Sequence, residues 1–262
     1  MDRSIYLKSS DEWAFGNLAE KLSYYLRCPI SADACSHCYL LSEPEKPADS
    51  YIPRASIDIA SDKVRMEFHF SQFNVPRPET LLLSDAAQVD NTLQNGREYL
   101  LKFPTSCGAN GHYLAKSPFT PKRGWPKPYL LQEFIRAEKP KVYRVYFVSG
   151  IAIGSNVRKF DGDTDKILVA HAQGARYAFD EDVPPDGVTA ARNAIVSTGL
   201  DKSFGVVDLI RDREGRWLVL EIGTDGIYNI VDRDYSNDRF DSLLHTAISI
   251  SFNEWCASSS SY

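Results

Sequence analysis

No run of residues is long and apolar enough to cross a bilayer, and the opening MDRSIYLKSSDEW has no signal-peptide core. Positive charge is not in excess either. The formal net charge is -5, so electrostatics make no case for nucleic acid or a membrane surface as partner. Cysteine is scarce and odd in number, five in 262 residues, and is not spread like a disulfide framework; a cytoplasmic location is expected. There is no internal repeat and no Ser/His/Asp arrangement for nucleophilic catalysis. The hydrophobic content of 43% is that of an ordinary globular chain, enough for one domain of two lobes or two small domains.

Cys28, Cys35, His37 and Cys38 lie close together, and three thiols with an imidazole can bind zinc. Cys35-Ser36-His37-Cys38 is too cramped for a two-armed finger, however, and no second knuckle follows. Buried free thiols are the commoner outcome of such a cluster.

The most informative stretch is Phe204 to Asn229, FGVVDLIRDREGRWLVLEIGTDGIYN. Phe204–Ile210 and Trp217–Ile222 are apolar, β-branched runs with one acid each, Asp208 and Glu221. Asp212 to Arg216 between them is turn chemistry. If Asp212 pairs with Trp217 across a four-residue loop, Asp208 falls opposite Glu221. Directly opposed residues share one face of a sheet. Two carboxylates there repel unless a cation lies between them, and Mg²⁺ takes one or two carboxylates plus phosphate oxygens. The alternative is a pair of acids on a solvated hairpin face.

The rest of the chain is a mixture of short helices and strands. Helical spacing covers Asp11–Leu26, and Asp62 can cap a helix from Lys63 to about Phe73. Thr80–Leu83 is a strand, and Ser84 or Asp85 caps a short helix closed by Asn95-Gly96. Further strands are expected at Tyr99–Phe103, His112–Ala115, Tyr129–Ile135, Val142–Val148 and Ile151–Arg158, with Ser149-Gly150 as a hairpin turn. Ser117–Pro128 is proline-rich and expected to be exposed. Val188–Leu200 and Asp238–Trp255 are helices. The pattern is α+β with non-parallel strands.

Several residues in this frame can carry chemistry. Lys102 stands at the end of an apolar strand, just before the Gly108/Gly111 loop. Glycines let amides approach phosphate closely, and a lysine supplies fixed charge. The loop is not a Walker A motif, because no Gly-Lys-Ser/Thr follows. Gln132-Glu133-Phe134-Ile135 ends the next strand, where backbone groups can read the edge of a flat base. Glu138 could accept from a ribose hydroxyl. Arg144 and Arg158 lie on consecutive strands, and a guanidinium fork suits carboxylate or phosphate.

Taken in order, these pieces resemble the ATP-grasp superfamily, from about Asp62 to Asp234. Asp62-Lys63 with Val75-Pro76-Arg77-Pro78-Glu79-Thr80 resembles its "DK … gvPvPrT" segment. Tyr99-Leu100-Leu101-Lys102 is similar to its phosphate-lysine strand, with Ser106 to Gly111 as the mobile glycine loop. Leu131 to Ile135 is similar to the adenine hinge, Tyr143-Arg144-Val145 and Val157-Arg158 to its phosphate-facing arginines. Asp208 and Glu221 match its metal-carboxylate hairpin. The nearest flavour is the carboxylate–amine ligases, including ribosomal-protein glutamate ligases and graspetide ligases. The asparagine that this group keeps two residues after the metal glutamate is Gly223 here, which leaves Asp225 or Asn229 as further oxygen donors.

The resemblance implies an ATP-grasp fold, two α+β lobes holding ATP between two non-parallel sheets. It implies a short N-terminal region at residues 1–61, an ATP-grasp domain at 62–256 and a disordered tail at 257–262. It implies ATP and Mg²⁺ as cofactors, and an ADP-forming ligase that activates a carboxylate as acyl phosphate and joins it to an amine, on a small molecule or a peptide. Lys102, Ser106, Gly108, Gly111, Gln132, Glu133, Phe134, Ile135 and Glu138 would hold the nucleotide, and Asp208, Glu221, Asp225 and Asn229 the metal. Arg158 and Arg144 would stabilise the transferring phosphoryl, and His171 could serve as base for the amine. A kinase phosphorylating a hydroxyl, or a nucleotide-binding scaffold of weak activity, would fit the same motifs, and a homodimer is left open.

Overall fold

The computed structural model describes residues 3–35, 37–44, 49–137, 139–162, 164–224 and 239–259. Chain order gives β1 (Arg3–Tyr6), α1 (Glu12–Leu26), β2 (Ile30–Ser31), β3 (His37–Leu40), α2 (Arg54–Ser61), α3 (Lys63–Gln72), β4 (Thr80–Leu83), α4 (Ala86–Leu93), β5 (Tyr99–Lys102) and β6 (Tyr113–Leu114). Then come β7 (Tyr129–Glu133), β8 (Lys141–Val148), β9 (Ile151–Lys159), β10 (Arg176–Ala178), α5 (Pro185–Ser197), β11 (Phe204–Arg211), β12 (Trp217–Gly223) and α6 (Arg239–Ser259). Among the described residues no helix is long and apolar enough to cross a membrane.

These strands form three sheets. A parallel sheet of order β2-β1-β3 is built from the N-terminal region. An antiparallel four-stranded sheet has the order β4-β7-β5-β6, and an antiparallel five-stranded sheet the order β10-β9-β8-β11-β12. One large core joins the N-terminal sheet, the helices α1, α5 and α6 and the five-stranded sheet, with Ile5, Leu22, Tyr39, Tyr146, Ile195, Phe204 and Phe252 all fully buried. The four-stranded sheet has its own smaller core, in which Val89, Tyr99, Leu101, Tyr129 and Leu131 meet. Strand alternation explains the choice. Tyr99 and Leu101 face that core, while Leu100 and Lys102 face the other way, into the space between the sheets.

Local chemistry sets the boundaries. The Asp62 carboxylate accepts the Val64 N–H at 2.8 Å and so starts α3, and Asp85 accepts the Gln88 N–H at 2.9 Å and starts α4. Ser149 and Gly150 both have positive φ, 48° and 70°, the geometry of a two-residue hairpin turn whose twist suits β8 and β9.

Three differences from the sequence expectations have physical causes. β7 ends at Glu133 rather than Ile135: the Phe134 N–H still bonds in register to the Glu98 carbonyl at 2.8 Å, but β5 itself begins only at Tyr99, so the ladder has no further partner there. The proline-rich segment is not all exposed: Phe119 is buried in the smaller core, its N–H held by Asp90 at 2.7 Å. α6 runs on to Ser259, past Trp255 and into the expected tail, with the Ser258 hydroxyl bonded back to the Trp255 carbonyl at 2.8 Å. The expected start of that helix at Asp238 lies outside the described residues.

Candidate active site

The β11–β12 hairpin does place Asp208 directly opposite Glu221, by a different route from the expected one. The turn pairs Arg211, not Asp212, with Trp217, and so encloses one residue more. Asp212 instead works inside the loop, where its carboxylate accepts the Arg216 N–H at 2.7 Å. A bulge between Asp208 and Leu209 then absorbs the extra residue and restores the expected register.

The same row continues across the sheet. Asp208 pairs with Arg144 on β8, and Arg144 with Asn156 on β9; Arg158 follows two residues later, on the same face. Register alone therefore gathers two arginines around one acid. Arg144 Nε donates to Asp208 Oδ1 at 2.7 Å and its Nη2 to Oδ2 at 3.0 Å, and Arg158 Nη2 also donates to Oδ2. Burial opposes ionisation of Asp208, but the two guanidinium groups outweigh it and hold the carboxyl below its usual range. The side chain of Asp208 is 2% exposed and that of Glu221 36%, so Glu221 is the open member of the pair. Burial opposes the charge on Glu221 as well, and Lys63, with its Nζ 3.7 Å away, leads the interactions that keep it ionised.

The four-stranded sheet supplies the opposite wall. Lys102 is buried and donates from Nζ to Gln132 Oε1 at 3.1 Å. Gln132 Nε2 donates to Thr80 Oγ1 at 3.0 Å, and the Thr80 hydroxyl donates to the Pro78 carbonyl at 3.0 Å. Burial pushes the Lys102 ammonium down to about 8, with Glu221 opposing the fall.

Between the walls lies a cavity of about 950 Å³. Its lining includes Lys63, Lys102, Arg144, Arg158, Asp208 and Glu221, the loop residues Ser106 and Gly108, and Gln132 to Ile135. Gly111 does not reach it. Gly111 has φ 73°, and a Cβ there would lie 3.0 Å from Phe103 Cβ, so its role is to close the glycine loop against the strand end. Gln132 faces the cavity through the Lys102 ammonium it holds. Glu133 is near Arg97, at 3.7 Å. His171 opens a short 3₁₀ turn, His171–Gln173, stacked on Tyr177, and lines the cavity. A Cβ on Gly108 would meet Ala172 Cβ at 3.5 Å, so this turn and the glycine loop touch. Glu138, Asp225 and Asn229 lie outside the described residues.

Two further residues belong to the site. Lys63 Nζ donates to the Ser106 carbonyl at 2.6 Å while lying beside Glu221, so it ties the glycine loop to the carboxylate hairpin. Its place directly after the Asp62 cap was the available signal. His112, at the end of the glycine loop, is pushed down to about 4 by burial, with Lys102 and Lys63 adding to the effect. Nothing in the local sequence marks it.

The arrangement suits an anion. Four cationic side chains stand around two carboxylates, and the buried Arg158 Nε has no partner among the described residues. The donor set also fits a hard divalent cation bound together with phosphate. A carboxylate has about four acceptor positions, and the arginines occupy three on Asp208, leaving one on Oδ1; Glu221 is open. The cysteine cluster offers nothing comparable. Cys28 and Cys38 are buried, their thiols pushed up to about 11 mainly by burial. Among the described residues no three His, Cys, Asp or Glu side chains converge on a metal position.

No family model and no curated protein matches the chain in sequence. Solved structures do match in shape. The crystal structure of D-cycloserine synthetase DcsG superposes with a TM-score of 0.65 at 13% identity, covering 95% of this chain and 98% of that one. The ATP-grasp ligase PsnB complexed with minimal precursor, Mg and ADP gives 0.68 at 15% identity, over 95% and 97%. D-alanine–D-alanine ligase from Bacillus anthracis complexed with ATP gives 0.60 at 11%, over 96% and 98%. At these identities the likeness is one of fold. With its two antiparallel sheets facing each other across the cavity, this chain has the ATP-grasp fold.

Proposed function

We propose that the protein is an ATP-dependent ligase that activates a carboxylate as an acyl phosphate and joins it to an amine, releasing ADP and phosphate. One observation carries this reading: the opposed acids Asp208 and Glu221 line one cavity with Lys63, Lys102, Arg144 and Arg158. Such a floor suits a polyphosphate and a reaction that moves negative charge. The likeness to ligases crystallised with ATP, or with Mg and ADP, supports it at the level of fold.

In this reading Lys102 and Lys63 bind nucleotide phosphates, Lys102 in the orientation that Gln132 imposes. Glu221 and the remaining position on Asp208 would hold Mg²⁺, which would neutralise charge on the phosphate oxygens. The substrate carboxylate oxygen attacks the γ-phosphorus and ADP leaves. Arg158 and Arg144 offset charge on the transferring group and then on the tetrahedral oxyanion. The amine attacks the acyl carbon, its C–N bond replaces the C–O bond to phosphate, and its proton passes to a base, for which His171 is placed at the cavity wall. The glycine loop, held by Lys63, and the His171–Gln173 turn exclude water that would hydrolyse the acyl phosphate.

The test is ADP release with panels of acids and amines. Turnover needing both, and falling at least about 100-fold in Glu221→Ala, is the expected result. ADP release without any amine would mark a kinase instead. A second reading has its own support: Gly223 replaces an oxygen donor and arginines already hold Asp208, which suits a nucleotide-binding protein without turnover. Binding of ATP with no ADP release from any mixture would favour it.

A further inference from the structure

We infer that this site refuses a free divalent cation and takes up metal only with, or after, a polyphosphate, because Asp208 is already neutralised by two arginines. The inference rests on the nucleotide reading above. It follows from the charges on the cavity floor rather than from the carboxylate pair alone.

Arg144 grips both oxygens of Asp208, and Arg158 shares one of them. The other acid, Glu221, stands 3.7 Å from the Lys63 ammonium, and Lys102 lies on the facing wall. Four cations thus surround two carboxylates, a net charge of plus two. A bare Mg²⁺ entering here meets one open carboxylate and a positive surround, and from Asp208 it gains only the one remaining position on Oδ1, on a carboxylate whose charge two arginines already offset. Freeing more of Asp208 means breaking a buried ion pair, which is costly.

A polyphosphate reverses each of these conditions. It brings the negative charge that the floor lacks and offers acceptors to the partnerless Nε of Arg158. A guanidinium that turns from Asp208 to phosphate exposes a carboxylate oxygen to the metal. Arg144 and Arg158 therefore act as a switch between two acceptors, and the nucleotide operates it. By linkage, whatever factor the nucleotide adds to metal affinity, the metal adds to nucleotide affinity. A factor of at least about tenfold is expected, inside the usual range of such couplings.

Mn²⁺ serves as the probe, with free ion counted by electron paramagnetic resonance, and thermal melting reports nucleotide binding. Wild-type protein with Mn²⁺ alone is expected to show no saturable binding below millimolar metal. A non-hydrolysable ATP analogue in EDTA is expected to raise the melting temperature by itself, and Mn²⁺ to raise it further. Arg158→Gln, which releases one grip on Asp208, is expected to gain saturable Mn²⁺ binding without nucleotide. Micromolar Mn²⁺ binding by the nucleotide-free wild type would overturn the inference and leave the ligase reading standing. No nucleotide shift under either condition would remove the ATP reading, and the inference with it. Should Arg158→Gln fail to fold, the two wild-type measurements decide the matter alone.

Discussion

Lys102 is the residue at which stability and function pull apart most plainly. Burial depresses its ammonium to about 8 from the ordinary 10.5. Between those two values the unfolded chain holds a proton that the folded chain does not, so stability rises with pH across that window. Below about 8 the folded state carries a costly buried charge. Lys102→Met should therefore raise the melting temperature at pH 7, by an amount corresponding to roughly 1–3 kcal/mol, while losing nucleotide affinity. Nucleotide affinity of the wild type should fall as pH rises through about 8 and be flat in the variant, as isothermal titration across pH would show. Asp208→Asn is expected to go the other way. It strands two buried guanidinium groups and should cost about 3–5 kcal/mol in urea unfolding. At this scale the Asp208/Glu221 pairing was expected from a four-residue loop that the structure does not have, and the bulge beside Asp208 restored it. The grip of Arg144 and Arg158 on Asp208 was not legible, because it depends on the register of β8 against β11. Gln132 was expected in the site, but its hold on Lys102 was hidden, as was that of Lys63 on the glycine loop, since each acts on a group far away in sequence.

The elements were more legible than the contacts, because caps and turns are local. The Asp62 and Asp85 caps and the Ser149-Gly150 turn are set by side chains or φ values within a few residues. Asp62→Ala should cost about 1 kcal/mol and loosen the first turn of α3, which carries Lys63. Its larger effect should appear as faster hydrogen exchange in the glycine loop that Lys63 holds. The β11–β12 turn shows the limit of this kind of reading. The loop was one residue longer than expected and a bulge compensated; turn residues alone do not distinguish the two. Gly205 shows what packing asks of an element. A Cβ there would lie 2.8 Å from Ile195 Cδ1 and 2.9 Å from Leu200 Cδ1, so α5 sits closely on β11. Gly205→Ala should lower stability by about 1–3 kcal/mol, measured by urea unfolding, with nucleotide affinity less affected than in Lys102→Met.

For the whole molecule, the central fact is that the charged groups lining the cavity come from two sheets with separate cores. Lys102 and Gln132 stand on the four-stranded sheet; Arg144, Arg158, Asp208 and Glu221 stand on the five-stranded one. Lys63, on α3, bridges glycine loop and hairpin. A ligand filling the cavity must touch both, so nucleotide binding should couple the two cores and stiffen the molecule as a unit. The order of motifs along the chain made this architecture readable. The depth of the cavity and its positive floor were not readable, since they arise only when the sheets face each other.

The most direct test of this account is the melting temperature with ATP, in EDTA and in Mg²⁺, for wild type and for the Asp208→Ala/Glu221→Ala double variant. The account predicts a rise with ATP alone and a further rise with Mg²⁺ in the wild type, and loss of the Mg²⁺ increment in the variant. A wild-type melting temperature that millimolar ATP leaves unchanged, with or without Mg²⁺, would contradict it.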